Sequence, residues 1–295
     1  MAASSAGSQR GGSVAIARRR PRLPLRFAWT APLLAFSLLA VSGGCSSAPR
    51  PSNSRDWSPD QAVLATADFK RDRVEVRNVR NCTYLTADDY VVDHYDRTFD
   101  LDQLETVDFV MVPFKGAPAL AHTLLSFGFA GGDYLAVSVE VRKERGETYS
   151  VLGGMLQQFE IMYVVADERD AVRLRTDFRG DDVYVYRARA NPKQVRALFV
   201  DVMKRVNDLA KKPEFYDTLT NNCTTNIARH INSLAPDRVP TDPRILLPGY
   251  SDRLAFDLGL LETDLPFEQA KKQARVASAD SRAAAADDFS RAIRR

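Results

Sequence analysis

The 295-residue chain has little of what most often carries site chemistry, with only three histidines and three cysteines. Three cysteines are too few for a disulfide-stapled scaffold. No His-x-x-x-His or Cys-x-x-Cys spacing occurs, so neither a metal nor another cofactor is expected. A Gly-rich loop of the phosphate-binding type is missing too. No apolar run after residue 45 reaches the roughly 20 residues that a membrane-spanning helix requires. The formal net charge is only +3, and Arg10, Arg18, Arg19, Arg20, Arg22 and Arg26 supply the excess before residue 30. The remainder is close to neutral, which speaks against nucleic acid as a partner.

What is present begins with an export signal. The arginine cluster is followed by an apolar run from Phe27 to Val41 and then by Ser42-Gly43-Gly44-Cys45. A run this short, with basic residues before it and small residues after it, reads as a signal peptide. Small residues before a cysteine resemble a bacterial lipobox, which makes Cys45 the expected lipidation site. Residues 46–60 have the Pro/Ser bias of a flexible tether. Residues 276–295, rich in alanine, arginine and aspartate, are expected to be a disordered or frayed helical tail. Residues 61–275 then form one domain. The expected location is the periplasmic face of a membrane, the outer one in preference to the inner because Ser46 follows Cys45.

Within the domain, strand-like segments dominate to about residue 190: Val74–Val79, Val107–Phe114, Ala121–Phe129, Tyr134–Val141, Phe159–Val165 and Val183–Tyr186. Gly131-Gly132-Asp133 reads as a hairpin turn between two of them. After Pro192, apolar residues recur every three or four positions, which predicts an amphipathic helix over 192–211. Further helices are expected near 222–235, 251–260 and 266–277. Strands followed by helices indicate an α+β domain, a largely antiparallel sheet packed against helices.

Cys223 stands just after capping-type residues, in Asn221-Asn222-Cys223-Thr224-Thr225-Asn226, and ahead of the apolar stripe Ile227, Ile231 and Leu234. A thiol in the first turn of a helix meets unpaired N–H groups and the positive end of the helix dipole, which favour its thiolate. Thr220, Asn221 or Asn222 can cap the helix, and Asn221 and Asn222 are the expected residues on the oxyanion side. Pairing of Cys223 with Cys82 is not expected, and Cys82 reads as core filling. A thiol nucleophile needs a base. His230 follows Cys223 by seven residues on the same helix, roughly 10 Å along the axis, which suits packing better than proton transfer. His94 sits among charged residues and reads as solvated. That leaves His122, at the head of a strand. The next strand alternates so that Ser138 and Glu140 share one face, where either can orient the imidazole, with Glu140 preferred. The runs Asp167-Glu-Arg-Asp170 and Arg173-Leu-Arg175 read as structural ion pairs rather than as head-group contacts.

Several stretches together, His122-Thr-Leu-Leu-Ser-Phe, Ser138-Val-Glu-Val-Arg142, Tyr163-Val-Val-Ala-Asp-Glu-Arg-Asp170, Asn221-Asn-Cys-Thr-Thr-Asn226 and Pro248-Gly-Tyr-Ser-Asp-Arg253, resemble one family. It is the bacterial lipoprotein N-acyltransferase (Lnb) N-terminal periplasmic domain family, and the likeness runs over roughly residues 70–265. That family is similar to circularly permuted papain-like proteins of the lecithin-retinol-acyltransferase type, in which a histidine strand precedes an Asn-Cys helix start. The resemblance implies a thioester on Cys223, formed from a phospholipid acyl ester, with His122 relaying the proton and an amine or water taking the acyl group. Its implied partners are membrane lipid and a lipoprotein acceptor. Typical N-acyltransferases of this group carry further membrane-spanning segments, a pattern this chain departs from after residue 45; a lipid anchor can hold the domain at the bilayer instead. A cysteine peptidase or amidase of cell-wall peptide or lipoprotein, and a non-catalytic binding module, remain as alternatives. The oligomeric state is not legible.

Overall fold

The computed structural model describes residues 50–277 and 288–294. The expected signal peptide, Cys45 and the first residues of the tether lie outside these. The strands are β1 (Thr66–Lys70), β2 (Arg73–Arg80), β3 (Thr83–Tyr84), β4 (Tyr90–Val91), β5 (His94–Asp100), β6 (Leu104–Phe114), β7 (Ala117–Phe129), β8 (Tyr134–Arg142), β9 (Glu160–Asp167) and β10 (Tyr184–Arg187). The helices are α1 (Val151–Met155), α2 (Glu168–Arg173), α3 (Pro192–Lys211), α4 (Cys223–Leu234), α5 (Pro243–Leu246), α6 (Ser251–Asp257), α7 (Phe267–Ala274) and α8 (Phe289–Ala292). None of the described helices is long and apolar enough to cross a membrane.

Eight strands make one sheet in the order β1-β2-β9-β8-β7-β6-β10, with β5 also paired to β2. Every pairing is antiparallel except β2 with β9, which meet in parallel at Arg80 and Ala166. The fold is thus α+β with a mostly antiparallel sheet packed against helices. The β7–β8 hairpin closes where the glycines are: Gly131 and Gly132 both have φ of 93°, a region that residues with a Cβ seldom enter.

Strand alternation divides the core in two. Residues Leu125, Phe127 and Phe129 of β7, with Val137 and Val139 of β8, point to the main core, which α3 and α4 cover. Leu124, Ala136, Met162 and Val164 point to the opposite face, where Ala171 and Val172 of α2 and Phe289 of α8 cover them. Helix α3 begins with Pro192 at its first turn and an Asn191–Gln194 capping box, and it buries Val195, Phe199, Val202, Met203 and Val206.

Two expectations about the ends of the domain are corrected. The tether is docked from residue 50 onward: Trp57 is buried, the Ser52 amide donates to Glu160 at 3.0 Å, and Asn53 donates to the Leu209 and Ala210 carbonyls. The buried guanidinium of Arg142 explains this, because it stacks on the Trp57 ring and donates to the Gln61 and Ala62 carbonyls and to Asn53. At the other end α8 is not frayed. Phe289 is fully buried, and Arg294 is ion-paired with both Asp108 and Glu168, two acids that need a cation where they lie.

Phe199 meets Phe127 and Phe129 edge-on, with centroids 5.1 and 5.9 Å apart, at the centre of the main core. Phe199→Ala should lower the unfolding free energy by about 3–5 kcal/mol in urea titration, the usual cost of emptying a phenylalanine site in a packed core.

Candidate functional site

Cys223 is the first residue of α4. The Asn222 side chain accepts from the Thr225 amide at 2.9 Å, and the Thr225 hydroxyl accepts from the Asn222 amide at 2.8 Å, which makes a reciprocal capping box. The helix start is therefore fixed by Asn222 just before the cysteine and Thr225 two residues after it. Cys223 is only 5% exposed, and its sulfur lies 4.0 Å from the Ala121 carbonyl oxygen and 3.8 Å from the Thr224 hydroxyl. Thr224 in turn is 3.2 Å from the Thr123 hydroxyl. The first turn of α4 thus rests on β7 at the two residues that flank His122.

On the opposite face of the sheet the side chains of His122, Ser138 and Glu140 form a chain. His122 Nε2 lies 2.7 Å from Ser138 Oγ, and Ser138 donates to Glu140 Oε1 at 2.8 Å. Arg175, from the π-helical turn Leu174–Phe178, donates to the same carboxylate oxygen at 3.1 Å, and Gln61 donates to the other at 3.4 Å. Burial pushes the Glu140 carboxyl up, but Arg175, His122, Arg80 and the Ser138 hydroxyl together outweigh it and hold it well below the usual carboxylate range. An ionised Glu140 can only accept, so Ser138 spends its one proton there. The neutral imidazole then keeps its hydrogen on Nε2, donated to Ser138, and Nδ1 is left as a bare acceptor. Burial, reinforced by Arg175 and only partly opposed by Glu140, pushes the His122 imidazole down to about 3, so it is neutral at physiological pH.

Thiol and imidazole are addressed to the same stretch of β7 from its two faces, and no hydrogen bond joins them. The wall between them is incomplete. The β7–β8 ladder stops at Leu124 and Ser138, while β7 continues with β6 and β8 continues with β9. Residues 117–123 of β7 and 139–142 of β8 are therefore unladdered toward each other, which leaves a split in the sheet beside His122. The 3₁₀ turn Pro248–Tyr250 packs on β7 just upstream; a Cβ at Gly249 would come within 1.9 Å of the Pro118 carbonyl oxygen, so the Pro-Gly-Tyr run meets a need for close backbone approach.

The structure brings His122, Ser138 and Glu140 into one chain, and places Cys223 against the backbone beside them. Both asparagine side chains are engaged in the loop: Asn222 caps the helix and donates to the Thr218 carbonyl, while Asn221 donates to the Phe215 carbonyl and accepts from Asn226. His230 is buried, held by Asp201 at 2.7 Å and by the Tyr163 hydroxyl at 2.8 Å, and so ties α4 to α3 and β9. His94 lies on β5, partly exposed. Cys82 and Cys223 are both free; burial pushes the Cys82 thiol up to about 11, and its side chain packs with Tyr84 and Leu174. Asp170 pairs with Arg80, Glu168 with Arg294 and Arg175 with Glu140, so the charged runs are internal ion pairs. Arg175 as the counter-charge of Glu140 had no local signal in the sequence, where it stands between Leu174 and Thr176 in a run of charged residues.

Fold and site together define an α+β domain with a cysteine heading a helix and a histidine–serine–glutamate chain on the strands beside it. The chain belongs to the Lnb N-terminal periplasmic domain family, whose model matches residues 91–249. Membership places it among exported, periplasmic proteins. Comparison with curated proteins and with solved structures returns no match.

The buried imidazole also sets a pH dependence. Its folded value, about 3, lies below the ordinary 6.5, so between these limits the unfolded chain binds more protons and stability rises with pH. The stabilisation is complete above pH 6.5 and is lost as pH falls toward 3, with Glu140 adding to the loss below its ordinary 4.5. Urea midpoints should therefore drop between pH 7 and pH 4.5. His122→Asn should flatten that slope without abolishing it, because His94 and His230 are also held down by burial.

Proposed function

We propose that the domain is a papain-like thiol acyltransferase, of the circularly permuted kind, that takes an acyl group from a membrane phospholipid ester onto Cys223 and passes it to an amine, as in lipoprotein N-acylation. The observation that carries this reading is the docking of the first turn of α4 on both residues that flank His122. Nε2 of His122 is engaged by Ser138, so Nδ1 is the atom free to take the thiol proton.

In the first half-reaction the sulfur attacks the ester carbonyl carbon; its proton passes to Nδ1 through the split between β7 and β8, which requires β7 and α4 to shift so that thiol and ring meet. The oxyanion forms beside the unpaired amides that head α4. The carbon–oxygen bond then breaks, and the departing alkoxide takes the proton from the imidazolium. In the second half-reaction an amine attacks the thioester, gives its proton to the imidazole, and the thiol is restored. Ser138 and Glu140 hold the ring in the required tautomer and oppose the positive charge it carries between steps, Glu140 lying 3.8 Å from Nε2. The depth of Cys223 favours transfer over hydrolysis, since water has poor access to a thioester there. Lipid at Cys45, outside the described residues, would hold the domain at the outer membrane, within reach of both substrates.

Intact mass of the protein after incubation with phospholipid vesicles tests the reading. The wild type should gain a hydroxylamine-sensitive acyl group and Cys223→Ser should gain none. His122→Ala should slow the gain by about 10²- to 10⁴-fold, the usual contribution of a positioned base, and Ser138→Ala by less. An unmodified wild type with an inert Cys223 thiol would overturn it.

A further inference from the structure

Helix α1 is turned the opposite way from most helices of a folded domain, which bury their large apolar side chains and leave small and polar ones outside. Here Gly153 and Gly154 are the buried residues, while Val151, Leu152, Met155 and the following Leu156 are exposed. Leu156 and Leu152, at 70% and 65%, are the most exposed large apolar side chains among the described residues. The glycines face inward because nothing larger fits. A Cβ on Gly154 would come within 2.3 Å of the Thr218 hydroxyl and 3.3 Å of the Tyr216 ring, and one on Gly153 within 2.9 Å of the Phe159 ring. The glycine side of α1 is thus pressed onto the domain, and the core makes no use of the leucines.

The loop before Cys223 extends the same surface. The Thr218 hydroxyl donates to the Val151 carbonyl at 3.0 Å, and the neighbouring Leu219 is exposed as well. The run from Ser150 to Gln158 contains no charged residue. Asp217, the acid of the adjoining loop, is occupied by the Leu219 and Thr220 amides at 2.9 and 2.8 Å. An exposed group of large apolar side chains with so little charge around it marks a docking surface. It offers a folded partner neither the aromatic nor the arginine anchors on which protein interfaces rely, and a hydrocarbon interior needs neither.

The path of the chain brings a bilayer to this end of the domain. The Ser52 amide is fastened to Glu160, four residues after Leu156, so the N-terminal strap enters beside the connection from α1 to β9. Cys45, the expected lipidation site, precedes Ser52 by seven residues, a reach of at most about 25 Å. We infer that α1 and the loop 217–220 form a membrane-docking face, with Leu152, Leu156 and Leu219 seated among the acyl chains just below the lipid headgroups. A lipid anchor brings the domain to the membrane, and this face fixes how it stands there. Leu219 is four residues ahead of Cys223, so docking turns the start of α4 toward the lipid. None of this requires the thiol to react, and none of the measurements that test it involves acylation.

Amide hydrogen exchange of the full chain, with and without vesicles of phosphatidylethanolamine and phosphatidylglycerol, reads the face directly. Exchange in 150–158 and 217–220 should slow at least about tenfold on the vesicles, roughly the factor that one leucine contributes on leaving water. Leu152→Ser combined with Leu156→Ser should return 217–220 to its vesicle-free rate. The urea midpoint should not move, because both side chains are mostly solvated in the free domain. Leu85→Ser removes an equally exposed leucine beside the β3–β4 hairpin and should change nothing. In a second measurement, the fluorescence of Leu156→Trp should be quenched, beyond that of the wild type, by phospholipids carrying a doxyl group high on the acyl chain. Equal exchange with and without vesicles, or quenching of Leu156→Trp no greater than that of Leu85→Trp, would overturn the inference. Protection that appears without lipid and grows with protein concentration would give the face to a second copy of the chain and overturn it too. Protection confined to 246–250, where Leu246, Leu247 and Tyr250 are also exposed, would place the docking face elsewhere with the same consequence.

Discussion

A carboxylate taken out of water needs a cation, and Glu140 has Arg175 at 3.1 Å. The imidazole side of the site follows from that pair. Because Glu140 stays ionised, Ser138 must donate to it; because Ser138 donates there, His122 must donate to Ser138; and the second imidazole nitrogen is thereby left bare. The pair is held in turn by Gln61 on one side and by the turn after α2 on the other, where Arg175 also donates to the Ala171 carbonyl at 2.5 Å. Removing either partner would leave a buried charge without compensation, a loss of roughly 3–5 kcal/mol that would fall on geometry as much as on stability.

The thiol side is built by other means. Capping, not charge, fixes Cys223: the Asn222–Thr225 box and the Asn226 bonds to the Asn222 carbonyl and to Asn221 hold the loop and helix start as one piece. The buried chain Asp201–His230–Tyr163 then ties that piece to α3 and β9. The two halves meet only along β7 and the split beside it, so relative movement of β7 and α4 is what alters the approach of sulfur to imidazole.

Much of this was legible in the sequence because it is local. The 3.6-residue period and Pro192 locate α3 at its observed bounds, two glycines mark the hairpin, and three capping-type residues ahead of Cys223 announce a helix start. Alternation along β8 put Ser138 and Glu140 on one face, where they are found. Sequence reasoning weighed them as alternatives for orienting His122; they are linked in series instead. What alternation does not reveal is which face a distant helix covers, so the placement of the thiol and the imidazole on opposite faces of β7 had no local signal. Nor did the parallel contact of β2 with β9, the docking of Trp57, or the pairing of Arg294 with acids on β6 and α2. Each joins residues more than 80 positions apart, and no composition or period records such a meeting.

The strap formed by residues 50–62 has a consequence for where the protein begins. The family match spans 91–249, yet Gln61 touches Glu140, Arg80 neutralises Asp170 and, among the described residues, the Arg142 guanidinium donates to Asn53, Gln61 and Ala62. The stretch that identifies the family is therefore smaller than the stretch that folds. A fragment cut to the recognisable boundaries would keep every residue of the proposed chemistry and lose the backbone carbonyls and counter-charges that make those residues tolerable in a core.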